Sequence, residues 1–238
     1  VIDSVLDIVD MRVSRGREGD AYEVILGALK LDSGEVAAIV GPSGCGKSTL
    51  LEAIGLLLEP KSVSRHCLGA FDLTHDLQCS ADTREKRWAR LRQHKLGFVP
   101  QSGGLLPFLN VKQNIELSRS LVGLKGKDDL LEHVIDRLRL GKLLERMPSE
   151  LSIGERQRVS FVRGIAHRPS LILADEPTAA LDPILARELF SLIVEIAREF
   201  RIGALIVTHE WSLVSDVGIR KIVGTVSAQR RTIFDECN

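Results

Sequence analysis

The 238-residue chain has one tyrosine, two tryptophans and seven phenylalanines, so few rings are available to stack on a planar ligand. No apolar run approaches the roughly 18 residues of a membrane-spanning helix. The stretch "VIDSVLDIVDMRV" carries neither a charged leader nor a small-residue cleavage site, and the expectation is a cytosolic chain. Charge of one sign is also missing: 32 basic residues balance 32 acidic ones. No overall field therefore draws the chain to nucleic acid or to an anionic surface. Four cysteines, Cys45, Cys67, Cys79 and Cys237, are scattered along the sequence, which fits a reducing compartment better than a disulfide framework.

A metal module is absent as well, although "RHCLGAFDLTHDLQC" gathers His66, Cys67, His75 and Cys79. Their spacing matches no standard zinc module, and adjacent residues of a strand point to opposite faces. A surface or half-buried segment is expected there.

What is present is an apolar fraction of 44%, enough to bury the core of one α/β domain with an insertion. "EVAAIV" at 35–40 is a short apolar run of the kind a buried parallel strand shows. It leads directly into "GPSGCGKSTLLEAIGLLL". Glycines at 41, 44 and 46 let successive N–H groups face one cavity, and the helix that follows directs its positive end there. The segment Gly41, Pro42, Ser43, Gly44, Cys45 and Gly46 is thus an expected nucleotide cradle, with Cys45 in a variable position. Lys47 is expected to reach the β- and γ-phosphates, Ser48 to offer its hydroxyl to Mg²⁺, and Thr49 to add a phosphate contact.

"LILADEPT" at 171–178 ends a second apolar strand in two acids, at the edge where ligands of open parallel sheets collect. Asp175 is expected to orient Mg²⁺, and Glu176 to polarise the attacking water. "GALIVT" at 203–208 delivers His209 to the same edge. "LSIGERQRV" at 151–159 reads locally as a helix start, with Ser152 and Glu155 forming a capping box.

In order, "GPSGCGKST", Gln101 after "KLGFVP", "LSIGERQRV", "LILADEP", "AALD" at 179–182 and "VTHE" at 207–210 resemble the ATP-binding cassette ATPases over nearly the whole chain. The resemblance implies an α/β P-loop NTPase of RecA-like type: a parallel-sheet core, an inserted α-helical subdomain and an N-terminal antiparallel β region. One domain would span 1–238, with 1–101 and 164–238 as nucleotide-binding core and 102–163 as helical signature subdomain. It implies an ATPase that binds ATP and Mg²⁺ at composite sites shared by two copies, or by a copy and a homologous cassette. Each site would take Lys47, Asp175, Glu176, Gln101 and His209 from one protomer and Ser152 and Gly154 from the other. Gln101 would join Ser48 and Asp175 at the metal, and Asp182 would help couple the two sites. Permease subunits are the implied partners, on the inner face of a membrane, with "SGGLLPFLNV" at 102–111 as docking surface; no nucleic acid is expected. Two departures stand out: Ile153 replaces a usual glycine and Glu155 a usual glutamine. The aromatic that usually stacks on adenine is missing near Val13 and Ser14, with Tyr22 the nearest ring. The wording "GLLPFLNVKQNIELS" looks most like lipoprotein-releasing and macrolide-efflux cassettes, with the cell-division cassette close behind. A cassette that signals or transmits force without transport, and a soluble one acting on nucleic acid or ribosomes, are the alternatives.

Overall fold

The computed structural model describes residues 3–16, 21–227 and 230–236; Cys237 lies outside them. Strands β1 (Ser4–Arg15) and β2 (Tyr22–Asp32) pair antiparallel. They precede β3 (Val36–Val40), α1 (Lys47–Ile54), β4 (Arg65–Leu68), β5 (Phe71–Asp72), α2 (Ala81–Lys95) and β6 (Leu96–Val99). Helices α3 (Val111–Leu121), α4 (Asp129–Arg137) and α5 (Ile153–Ile165) come next. The chain closes with β7 (Leu171–Asp175), α6 (Pro183–Glu199), β8 (Gly203–Thr208), α7 (Trp211–Val217), β9 (Arg220–Ser227) and β10 (Arg231–Glu236).

Among the described residues the strands form one sheet in the order β5-β4-β1-β2-β10-β9-β3-β8-β7-β6. From β9 to β6 every neighbour is parallel, as buried Val, Ile and Leu runs between helices require. The β1, β2, β4 and β5 end is antiparallel, so the expected mixed α/β architecture is found. Alternation splits each central strand between two cores. Ala38, Ile172, Ala174 and Ile206 face one side with α3, α5 and α6, whereas Ile39, Leu173, Leu205 and Val207 face the other with α1.

The helical insertion shares the first of these cores through Val111, Ile115, Leu131, Val134, Val159 and Phe161. A buried ionic knot ties it together. Asp128, the N-cap of α4, is gripped by Arg119 from α3 and by Arg168 beyond α5, the latter at 2.8 and 3.2 Å, and accepts from the Leu131 N–H. Burial alone would raise its pKa, but the hydrogen bonds from Arg168, Arg119 and Leu131 outweigh that and hold the carboxyl well below the usual range.

Two local features bear on the core. Within 128–147, where apolar residues recur at three- and four-residue intervals, α4 stops at Arg137. Arg139 turns left-handed at φ +56°, and Leu140 N–H returns to the Ile135 carbonyl, a Schellman-type ending that sends Leu140 and Leu143 into the core by a new path. The segment around 66 is surface and half-buried as expected, with Cys67 half-buried and His75 and Cys79 exposed, except at His66, which is buried, has no partner at Nε2 and has its pKa lowered by burial to about 4.

Candidate active site

The site is assembled along the carboxyl ends of β3, β7 and β8. After β3 the chain wraps through Gly44 at φ +76° and Gly46 at φ +94°, the N-cap of α1. A Cβ on Gly46 would stand 2.5 Å from Val24 Cγ2, so both the backbone angle and the packing require glycine here. Cys45 is buried, and burial pushes its thiol up against the opposing pull of Lys47, which leaves it a packing residue rather than a nucleophile. Lys47 is 5% exposed, and its Nζ donates to the carbonyls of Gly41 and Pro42, both at 3.0 Å. Those neutral acceptors bind an ammonium less strongly than phosphate oxygens would.

Ser48 Oγ donates to Asp175 Oδ1 at 3.0 Å, joining the loop to the end of β7. Burial raises the Asp175 pKa, the Ser48 hydrogen bond opposes it, and nearby Glu176 and Glu52 raise it further. A hydroxyl and a carboxylate beside further acidic groups make a hard-oxygen donor set that suits Mg²⁺, which takes few protein ligands and shares the rest with phosphates and water.

Glu176 follows β7 in the left-handed region at φ +44° while its N–H bonds the Val207 carbonyl of β8 at 2.9 Å. Its two oxygens are separately held: Oε1 lies 3.1 Å from His209 Nδ1, and Oε2 accepts from Gln101 Nε2 at 3.2 Å. Gln101 therefore meets Glu176 in this conformation, whereas Ser48 meets Asp175.

Ser152 and Gly154 are not with the phosphate loop. With Ile153 they line a separate groove of about 710 Å³ shared with Ala180, Leu181 and Asp182, which no residue of 41–49 lines. The capping box is complete: Ser152 N–H and Oγ both donate to Glu155 Oε2, at 2.7 and 2.8 Å, and Glu155 N–H donates to Ser152 Oγ at 3.3 Å. Ile153 opens α5 and is 46% exposed. Asp182 N-caps α6 through the N–H groups of Ile184 and Leu185, each at 3.1 Å. A larger cavity, about 860 Å³, lies at the opposite edge around Ser33, Pro169 and Arg201 and contains none of these residues.

Val13 is buried and Ser14 half-buried, so neither offers a ring. Tyr22 sits beside the phosphate loop, its Cε1 3.8 Å from where a Gly46 Cβ would be, and its hydroxyl pairs with Thr232. Two residues went unread in the sequence. Arg15 bridges to Glu52 of α1 at 3.1 Å, and buried Gln157 of α5 donates to the Gln101 carbonyl at 2.6 Å. Gln157 could have been found four residues before Phe161 on the buried face of α5, where a polar side chain needs a partner.

A phosphate-type glycine loop, an acid pair and an imidazole on one edge of a parallel sheet define a P-loop nucleotide hydrolase. The ABC transporter family profile matches residues 27–179. The chain is 37% identical over 213 residues to the lipoprotein-releasing system ATP-binding protein LolD of Ehrlichia chaffeensis, covering 88% of this chain and 87% of that one. It is 38% identical over 207 residues to LolD 1 of Rhodospirillum rubrum, covering 86% and 87%. Among solved structures, the dimeric post-hydrolysis ATP-binding cassette MJ0796 bound to ADP and Pi superposes with TM-score 0.77 at 27% identity, covering 92% and 93%. The chain belongs to the ABC transporter family, as an ATP-binding and ATP-hydrolysing subunit of a membrane transporter. Within it, the likeness is to the LolD group.

Proposed function

We propose that two copies of this chain close on ATP, each supplying half of each site, beneath a permease of the lipoprotein-releasing type. The observation that carries this reading is the separation of the two halves: Lys47, Ser48, Asp175 and Glu176 share one edge, while Ser152 and Gly154 open into a groove that no phosphate-loop residue lines. A helix start aimed away from its own loop can serve a neighbour's nucleotide by the same electrostatics that the loop uses for its own.

In this reading Lys47 leaves its loop carbonyls for the phosphates, and Ser48 with Asp175 would hold Mg²⁺, with the Gln101 amide as a further ligand once it turns from Glu176. Bound there, the cation would neutralise phosphate charge. Glu176 takes the proton of the attacking water, and His209 and Gln101 fix its two oxygens beforehand. Closure follows because ATP binds the closed pair more tightly than the open one. The protein would work on the inner face of a membrane, and no helix among the described residues is long and apolar enough to cross one.

The division into a core (1–101 and 164–238) and a helical subdomain (102–163) belongs to the same proposal. Its docking surface would be the loop after Gln101. Fully buried Asn114 shapes that loop, donating to the carbonyls of Leu106 and Leu109 at 3.1 and 2.8 Å and accepting from the Leu106 N–H at 2.8 Å. Phe108 is left 70% exposed. The decisive experiment is sedimentation of the Glu176→Gln variant: a dimer with ATP and Mg²⁺ and a monomer with ADP supports the shared sites. A monomer under both conditions, with the permease supplied, overturns them.

A further inference from the structure

Gln157 has no part in the chemistry above, yet it is 4% exposed and its amide is committed to one main-chain atom, the Gln101 carbonyl, at 2.6 Å. Its own Oε1 is buried without a partner. A buried amide left half unpaired is costly, so the bond that it does make must hold the side chain in place. Six residues further along α5, Arg163 reaches the same loop: Nη1 donates to the Gly104 carbonyl at 2.6 Å and Nη2 to the Gly103 carbonyl at 3.3 Å. Those glycines sit at φ +57° and +75°, and Gly103 N–H closes a turn on the Pro100 carbonyl at 2.9 Å. Three carbonyls of this loop, at 101, 103 and 104, are thus fastened to one helix.

That helix starts at Ser152, and the loop's side chain, Gln101, ends on Glu176 Oε2 at 3.2 Å. We propose that Gln157 is a positioning residue: it makes the main chain at Gln101 travel with α5, so that a displacement of the Ser152 end is delivered to the acid Glu176 of the same protomer. Gln157 lies five residues from Ser152 on a continuous helix, about 7–8 Å along the axis, which makes a short and stiff link. Closure on a neighbour's nucleotide would then set the local acid, and a change at the local acid would be felt at the shared face. The inference rests on the proposed roles of Gln101 and Glu176.

The test is a double-mutant cycle on steady-state ATP turnover. Gln157→Leu keeps the shape and loses the donor; kcat should fall about tenfold, the scale of one well-placed hydrogen bond, with KM for ATP nearly unchanged. In a Gln101→Ala background the same substitution should have little further effect, because the side chain being positioned is gone. Gln157→Glu adds a second readout in a single protein: its carboxyl can donate to the Gln101 carbonyl only when protonated, so its turnover relative to the native enzyme should rise toward acid pH. Undiminished kcat in Gln157→Leu, multiplicative losses in the double variant, or a pH-independent ratio for Gln157→Glu each overturn the link while leaving the site intact. Normal turnover in Gln101→Ala alone instead overturns the reading of Gln101, and the link with it.

Discussion

His209 Nδ1 stands 3.1 Å from Glu176 Oε1, although 33 residues separate them. The sheet brings them together: Asp175 pairs with Val207 in register between β7 and β8, so Glu176, one residue beyond that pair, and His209, two residues beyond it, emerge at the same end of adjacent strands. Glu176→Gln keeps the shape and removes the base. ATP binding should persist while single-turnover hydrolysis falls by about 10²–10⁴, the usual range for a lost general base. His209→Ala should cost less, since the base Glu176 itself is kept and only the group 3.1 Å from its Oε1 is lost. Equal or near-normal hydrolysis in both variants would remove the pair from the chemistry.

Lys47→Ala should abolish ATP binding measured by calorimetry. It should also loosen the empty loop, because the Gly41 and Pro42 carbonyls lose their shared donor. Faster amide exchange at 41–46 in the nucleotide-free variant is the accompanying sign.

Ile153→Gly should maintain or raise turnover. The isoleucine is half exposed in the first turn of α5, where its branched side chain limits how closely a phosphate can approach the backbone. Glycine there costs helix stability of up to about 1 kcal/mol. A sharp fall in kcat at unchanged melting temperature would show that the side chain contributes to the interface.

Asp128→Ala should destabilise the insertion by about 3–5 kcal/mol, the scale for leaving buried arginine charge unpaired, since Arg119 is itself 6% exposed. The pH dependence has a definite sign. The folded pKa is depressed, so this stabilisation is complete above the ordinary carboxylate pKa of about 3.9. It is lost as pH falls toward the lower folded value. Urea titrations of native and variant protein should therefore converge with acidification.

His66 titrates in a different window. Its folded pKa of about 4 lies below the unfolded value of 6.5, so stability is fullest above pH 6.5 and declines as pH falls toward 4, by up to about 3 kcal/mol. His66→Leu should flatten the stability profile across that interval, and an unchanged slope would place its origin elsewhere.

Much of the site was legible because it is written in local grammar. The strand at 203–208 falls where its apolar run places it, and the capping box at Ser152 is present to the atom. Glycines followed by Lys47 and an apolar run ending in Asp175–Glu176 are signals carried within a few residues. What the sequence did not disclose are pairings across the fold. Gln157 with Gln101 and Asp128 with Arg168 join residues 56 and 40 apart, and neither carries a local pattern. The apolar spacing of 128–147 does not by itself show where α4 ends: leucines 138, 140 and 143 are apolar because they enter the core, and that holds whether the chain is helical or turned.

The ladder that seats Glu176 beside His209 joins β7 to β8, the second and third strands from one edge of the sheet that the described residues form, and each of the two is bonded on both sides. Separating that acid from its imidazole along the backbone would mean breaking the β7–β8 pairing that runs from Leu171–Gly203 to Asp175–Val207. Subunits can swing, tilt and part through each round of work, and the gap between these two side chains should be among the last dimensions to alter. Amides of 171–176 and 203–208 ought accordingly to exchange with deuterium only when the molecule unravels as a whole.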